Sequence, residues 1–316
     1  MQVMRNFSML KIKKSAVLLV SSTIALMVVT PTIGAEPPPF EGRRAGEERE
    51  ENGLKLKLCW CPPGNFTMGS PMNEEGRSNP TQVEPARRNN EDQVPVTITK
   101  GFWIGKFEVT QSEWQQVMRT TPAQQKAKPD SAGDLKQTGA RFPMYLVNYA
   151  EAATFCSKLT DQERRAGRLQ NNLKFTLPTE AQWEYACRAG TETPTAFGNN
   201  LSSEQANFDG NTPYGTAKKG AYLKGLAEVG SYKPNNWGLC DMHGSVYEWC
   251  ADWYVENRTG GNDPFVIKAT GATERLIRGG GWTDDGWACR SAYRSKLLPS
   301  VRINLVGFRV ALVQSR

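Results

Sequence analysis

Asp241-Met242-His243-Gly244-Ser245-Val246-Tyr247-Glu248 sets two carboxylates seven positions apart, with a glycine between them where the backbone can turn. Such a segment can offer side-chain and carbonyl oxygens to one hard cation, and calcium takes about six to eight of them. The alternative is a turn carrying two solvated acids. His243 is the one histidine of the chain, which excludes HExxH zinc sites and the two-histidine iron triad. In a loop beside two acids it reads as a hydrogen-bonded or surface residue, since a general base needs a partner. The seven cysteines are Cys59, Cys61, Cys156, Cys187, Cys240, Cys250 and Cys289, an odd number that leaves at least one thiol unless chains are cross-linked. Arg278, Arg290, Arg294 and Arg309 crowd the C-terminal quarter. They either line an anionic pocket or pair internally with acids. Trp249 and Trp253 read as core residues, with Asp252 between them free to cap or to pair with an arginine.

The elements that must position these groups sit in a chain of 316 residues with a net charge of +7. Nine Trp and twelve Phe supply a sizeable core and exclude global disorder, and 29 Gly with 19 Pro favour a loop-rich fold over a helical bundle. Arg5, Lys11, Lys13 and Lys14 precede the apolar run Ala16 to Val29, with a small residue at Ala35. That pattern predicts a secretory signal peptide over 1–35, cleaved near Ala35, and hence a secreted or periplasmic protein; uncleaved, it would be an N-terminal membrane anchor. These residues carry four of the seven net positive charges, leaving a mild +3 with no basic block, so nucleic acid is not an expected partner. Residues 36–53, proline-rich and charged, predict a disordered linker, and 54–316 a single folded domain.

Leu54, Leu56 and Leu58 alternate with lysines in a strand pattern, Cys61-Pro62-Pro63-Gly64 turns the chain, and Phe66 to Gly69 resumes it. Met72 to Glu91 predicts a long loop, and Val94–Thr99 and Phe102–Val109 predict two strands. Thr110-Gln111-Ser112-Glu113, Asn148-Tyr149-Ala150-Glu151 and Thr179-Glu180-Ala181-Gln182 carry one helix-start signature, a short polar cap with Glu or Gln three residues on. Their helices should end near Met118, Gly167 and Gly190. Beyond Gly190 no long helix is expected, and long backbone ladders are expected less than side-chain packing and bound ions.

Seven segments then coincide with one family. They are Pro62-Pro63-Gly64-x-Phe66-x-Met68-Gly69-Ser70; Glu108-Val109-Thr110 with Trp114; Leu177-Pro178-Thr179-Glu180-Ala181-x-Trp183-Glu184-Tyr185-Ala186; Asn236-x-Gly238-Leu239-x-Asp241-Met242-x-Gly244-x-Val246-x-Glu248-Trp249; Arg278-Gly279-Gly280-x-Trp282; Cys289-Arg290-Ser291-Ala292-x-Arg294; and Gly307-Phe308-Arg309. In order and spacing, over about residues 54–313, they resemble the formylglycine-generating enzyme (sulfatase-modifying factor) family. The resemblance implies an irregular, loop-rich α+β fold of the C-type-lectin kind, with short helices and small sheets.

Active members of that family oxidise a sulfatase cysteine to formylglycine with molecular oxygen, using Cu(I) held by two cysteines five positions apart. The matching positions here are Asp284 and Cys289, so one thiolate is missing, and Gly281 stands where a serine is expected. A thiolate beside a hard carboxylate suits Cu(I) poorly. The resemblance therefore points to a divergent binding or structural member, with a peptide, glycan or sulfatase-like protein as partner. The alternatives are an active formylglycine-generating oxidoreductase or another oxygen-dependent enzyme using Cys289. Family matching also assigns a structural calcium to Asp241 and Glu248 side chains with Gly244 and Val246 carbonyls, and starts a second calcium site at Asn207-Phe208. Family disulfide partners of Cys156 and Cys187 fall at Val310 and Arg294, which leaves both as helix-borne core thiols.

Overall fold

The computed structural model describes residues 40–77, 90–268 and 270–315. The expected signal segment 1–35, residues 36–39 and most of the loop Met72–Glu91 lie outside the described residues. In chain order the first strands are β1 (Glu48–Arg49), β2 (Leu58–Cys61), β3 (Gly64–Met68), β4 (Val94–Ile98) and β5 (Phe102–Gly105). Helices α1 (Gln111–Met118) and α2 (Pro122–Lys126), strand β6 (Ser131–Ala132), α3 (Tyr149–Arg165), β7 (Leu173–Thr176) and α4 (Glu180–Arg188) follow. The C-terminal part holds β8 (Tyr247–Trp253), β9 (Gly261–Asn262), β10 (Arg275–Arg278), a 3-10 turn at Gly286–Cys289, β11 (Ser295–Leu297), β12 (Arg302–Ile303), β13 (Val306–Gly307) and β14 (Ala311–Gln314). Among the described residues no helix is long and apolar enough to cross a membrane.

The three helix starts form as their sequences dictate. Thr110, Asn148 and Thr179 each accept from the N3 backbone N–H, and Glu113, Glu151 and Gln182 reach back to the cap's own N–H. α1 and α4 stop at residues in the left-handed region, Arg119 and Ala189. A fourth box, Thr121 with Gln124, opens the five-residue α2, too short to show an apolar period in the sequence.

Four small sheets form among the described residues: β1-β2-β5-β14-β7, β11-β10-β8-β13, β3-β4-β9 and β12-β6. Helix α3 lies on β7, where the Phe175 N–H donates to Thr160 Oγ1 at 2.9 Å. The main core stacks Trp114 on Phe155, centroids 5.9 Å apart, with Phe308 edge-on to both. This mixed α+β arrangement of short helices and small sheets is the expected fold class.

Two expectations need correction. The described part of the supposed linker, 40–53, is packed: Phe40 is buried edge-on to Trp60, its carbonyl accepts from Trp103 Nε1 at 2.5 Å, and β1 pairs with β2. Average composition hid this, because one aromatic and the Asn52 side chain, which bonds both the N–H and C=O of Leu56, suffice to anchor the arm. Asn52 also precedes the strand: Leu54 to Lys57 keep the alternating burial, but Lys55 has φ +57°, so the ladder starts only at Leu58. The second correction concerns the C-terminal half. β8 is a seven-residue strand between β10 and β13, and six of its residues are buried, so it lacks the alternation that would have revealed it.

Candidate functional site

β10 delivers Arg278 into the core and runs into Gly279-Gly280-Gly281. Gly280 has φ +78°, and a Cβ there would stand 2.7 Å from the Cys289 sulfur, so only glycine lets the loop pass this thiol. The 3-10 turn presents Cys289 inward against Leu201, Phe208 and Tyr214. The thiol is fully buried; its sulfur lies 3.8 Å from the Asp285 carbonyl. Burial, with Asp284 and Asp285 adding negative charge, pushes Cys289 well above the usual thiol range, so it stays protonated at neutral pH. Of the other thiols Cys187 is the one near enough to add to the charge at Cys289, whereas Cys250 packs in a different cluster, with Cys59, Cys61 and Trp183.

Asp284, at the position of the family's other cysteine, accepts from the Gly281 N–H at 2.8 Å and shares a hydrogen bond with the Tyr247 hydroxyl. Burial raises its carboxyl to about 6. His243 bridges this region to α4. Its Nδ1 is 2.7 Å from the Cys289 carbonyl and its Nε2 accepts from the Ala196 N–H, partners that assign the proton to Nδ1. Burial lowers it to about 4, so it is neutral and structural. Cys187 of α4 lies 3.8 Å from His243 Nε2 and donates to Ser291 Oγ; burial pushes it up to about 12. Cys187 and Cys156 are the expected buried helix-borne thiols, and all seven cysteines are unpaired.

A second centre surrounds the Asp241–Glu248 segment. Glu248, on β8, is clamped by Arg309 through two bonds of 2.6 Å and by Trp183 Nε1 at 2.8 Å. Asp241, at φ +59°, accepts from the Gly230 N–H at 2.6 Å, and burial raises it to about 6. Beside them lies Glu108, both of whose carboxylate oxygens are buried without a hydrogen-bond partner. Burial, reinforced by Asp241 and Glu248, pushes Glu108 well above the carboxylate range. Its acid role had no signal of its own in the sequence, where it stood out only within Glu108-Val109-Thr110. Asn207 is carried to the same segment: its carbonyl accepts from the Ser245 N–H at 2.7 Å and abuts Gly244, while its Oδ1 is buried without a partner.

Three acids face one guanidinium here, and the two orphaned oxygens of Glu108 are the hard donor chemistry a divalent cation takes; the orphaned Asn207 Oδ1 belongs to the neighbouring Gly244–Ser245 turn. A protonated thiol beside Asp284 is unsuited to Cu(I). Among the described residues no three His, Cys, Asp or Glu side chains already converge as a finished metal site.

The four C-terminal arginines pair internally. Arg294 grips Glu180 with two bonds of 2.6 and 3.0 Å, Arg290 joins Glu74 and Glu91, and Arg278 meets Glu184. Burial opposes the ionisation of Glu184, yet Arg188, Arg278 and Arg258 hold it down at about 2. These pairs lock α4 to the loops around Cys289. Asp252 caps α4, accepting from the Glu180 N–H at 2.8 Å, and Trp249 is core.

Comparison with known proteins bears on the family and the fold. The sequence profile of the sulfatase-modifying factor enzyme 1-like domain matches residues 45–313. Mouse formylglycine-generating enzyme is 31% identical over 309 residues, covering 81% of this chain and 74% of that protein. Mouse "inactive C-alpha-formylglycine-generating enzyme 2" is 28% identical over 237 residues, covering 72% and 62%. The structure of PvdO from Pseudomonas aeruginosa superposes with a TM-score of 0.65 at 25% identity, covering 86% of this chain and 99% of that one. The chain belongs to the sulfatase-modifying factor enzyme 1-like domain family.

Proposed function

We propose that the protein is a divergent family member that does not generate formylglycine and acts outside the cytoplasm as a binding module, taking a peptide, glycan or sulfatase-like protein on its C-terminal loops. One observation carries this reading: the position five residues before Cys289 holds a carboxyl group engaged by Tyr247 and Gly281, and Cys289 itself is a buried, protonated thiol. Holding monovalent copper and a substrate thiolate needs soft, ionised donors. Neither position offers one at neutral pH. The mouse relative described as inactive supports the idea that the fold serves without the reaction.

A structural calcium would be held by Asp241 and Glu248 side chains with the Gly244 and Val246 carbonyls, and the orphaned carboxylate of Glu108 beside them adds a further hard donor; Asn207 would begin a second calcium site. When bound it would supply the positive charge that Arg309 alone does not. Catalysis without copper is a second reading, favoured by Asp284, which titrates at about 6 beside the Tyr247 hydroxyl and so suits proton transfer better than Cys289 suits thiol chemistry.

Incubation of the purified protein with a cysteine-containing sulfatase peptide in air, followed by mass spectrometry and an aldehyde-reactive probe, tests the reading. The expected result is an unmodified peptide. Aldehyde formation that is lost in Cys289→Ser would overturn it.

A further inference from the structure

A cavity of ≈ 220 Å³ opens where β7, the first turn of α4, the β4–β5 connection and the end of β14 meet. Its floor is apolar: Ile98, Phe102, Leu177 and Ala251 are buried, and Phe265 and Val313 are half-buried. None of Asp241, Tyr247, Glu248, Asp284 and Cys289 lines it, so it is separate from the two centres described above.

The rim is polar. Lys100 and Lys174 are exposed on it, and neither ammonium is paired with a described acid. Thr179 and Gln182 also line it, and their capping box engages each oxygen once: Thr179 Oγ1 receives the Gln182 N–H at 3.2 Å and Gln182 Oε1 receives the Thr179 N–H at 3.0 Å. Each oxygen keeps one further lone pair, and the Thr179 hydroxyl proton and the Gln182 Nε2 hydrogens remain as donors. Asp263 is the rim's one acid, and both its oxygens are engaged by Thr99, through its N–H at 2.9 Å and its hydroxyl. Two ammoniums against one Thr99-bound carboxylate leave the rim net positive, with Thr176, Thr179, Gln182, Gln314 and Ser315 adding neutral polar groups above an apolar floor.

We propose that this cavity binds a small amphipathic carboxylate, its apolar chain lying on Phe102 and Leu177 and its head group at Lys100 and Lys174. The volume falls below the roughly 300–1,000 Å³ of drug-sized sites, which limits the occupant to a single short acyl or aryl chain. Burial of that chain supplies most of the affinity, while the partly exposed ammoniums set the sign of the head group.

Calorimetric titration of the full chain with octanoate, octanol and octylammonium tests this. Octanoate should bind saturably, about tenfold more tightly than octylammonium, a margin that two partly exposed charge contacts can supply. The Lys100→Ala/Lys174→Ala variant changes only exposed side chains, so its melting temperature should match the parent, and its octanoate affinity should fall to that of octanol. A second variant, Val313→Phe, narrows the cavity and should weaken all three probes. No octanoate binding at several millimolar, equal affinity for octylammonium, or undiminished preference in the double-lysine variant would each overturn the proposal.

Discussion

Burial decides the protonation of the groups that give this protein its chemical character. Cys289 keeps its proton because burial opposes the thiolate and Asp284 and Asp285 add negative charge beside it, and Asp284 and Asp241 are both raised to about 6 for want of solvent. Residue identity was legible in the sequence at this scale: the departure at Asp284 is visible by counting back from Cys289, and the four arginines were recognisable as candidates for pairing. Glu108 was not, because nothing adjacent in the chain marks it as an acid without a donor; its isolation arises only when α1's entry segment meets Asp241 and Arg309. Asp252 gives a pH-dependent consequence. Burial beside Glu180 raises it from 3.8 to about 7 in the folded state. A raised carboxyl stabilises the fold most below its unfolded value, and that contribution is lost as pH rises through about 7. Asp252→Asn cannot ionise, so its stability relative to the parent should improve by about 1–3 kcal/mol between about pH 5 and about pH 8. Urea unfolding at the two pH values measures it, and an unchanged difference would contradict the assignment.

Elements were legible where a local rule fixes them. Each predicted capping box formed, since cap and partner lie three residues apart and need no tertiary help. Helix α2 escaped because its box at Thr121 leads into five residues with no apolar period. The strand β8 and the arm 40–53 escaped for the opposite reason: long-range burial makes them, through Trp249 under Val147 and Phe40 over Trp103. The arm should accordingly contribute to stability on a larger scale than a cap does. Phe40→Ala should cost about 3 kcal/mol, as for other buried aromatics, whereas Thr179→Ala should cost about 1 kcal/mol. Equal, small losses in chemical denaturation would return 40–53 to the status of a linker.

At the scale of the whole molecule, buried ion pairs and a proposed cation join loops that backbone ladders do not reach. Arg309 ties β5, the Cys240 carbonyl and Glu248 together, and Arg294 ties α4 to residues 90 and 255–256. If calcium occupies the Asp241 centre, it should raise the melting temperature, by the equivalent of roughly 3 kcal/mol when it exceeds its Kd about a hundredfold. Glu108→Gln keeps the shape and removes the carboxyl that would ionise on binding the cation, and should erase most of that gain in differential scanning calorimetry. Identical transitions in calcium and in chelator would remove the ion from the account. The family fold was legible in the order of seven motifs, but the partner was not, because motifs that build a scaffold say little about the surface it displays.

The proposed loss of formylglycine chemistry depends above all on the second thiolate that Asp284 replaces. Anaerobic titration of Cu(I) against a chromophoric chelator, run on the parent and on Asp284→Cys, tests it most directly. The parent should hold no copper against the chelator, and the variant, with thiols at 284 and 289, should hold one equivalent. Copper retained as firmly by the parent as by the variant would contradict it.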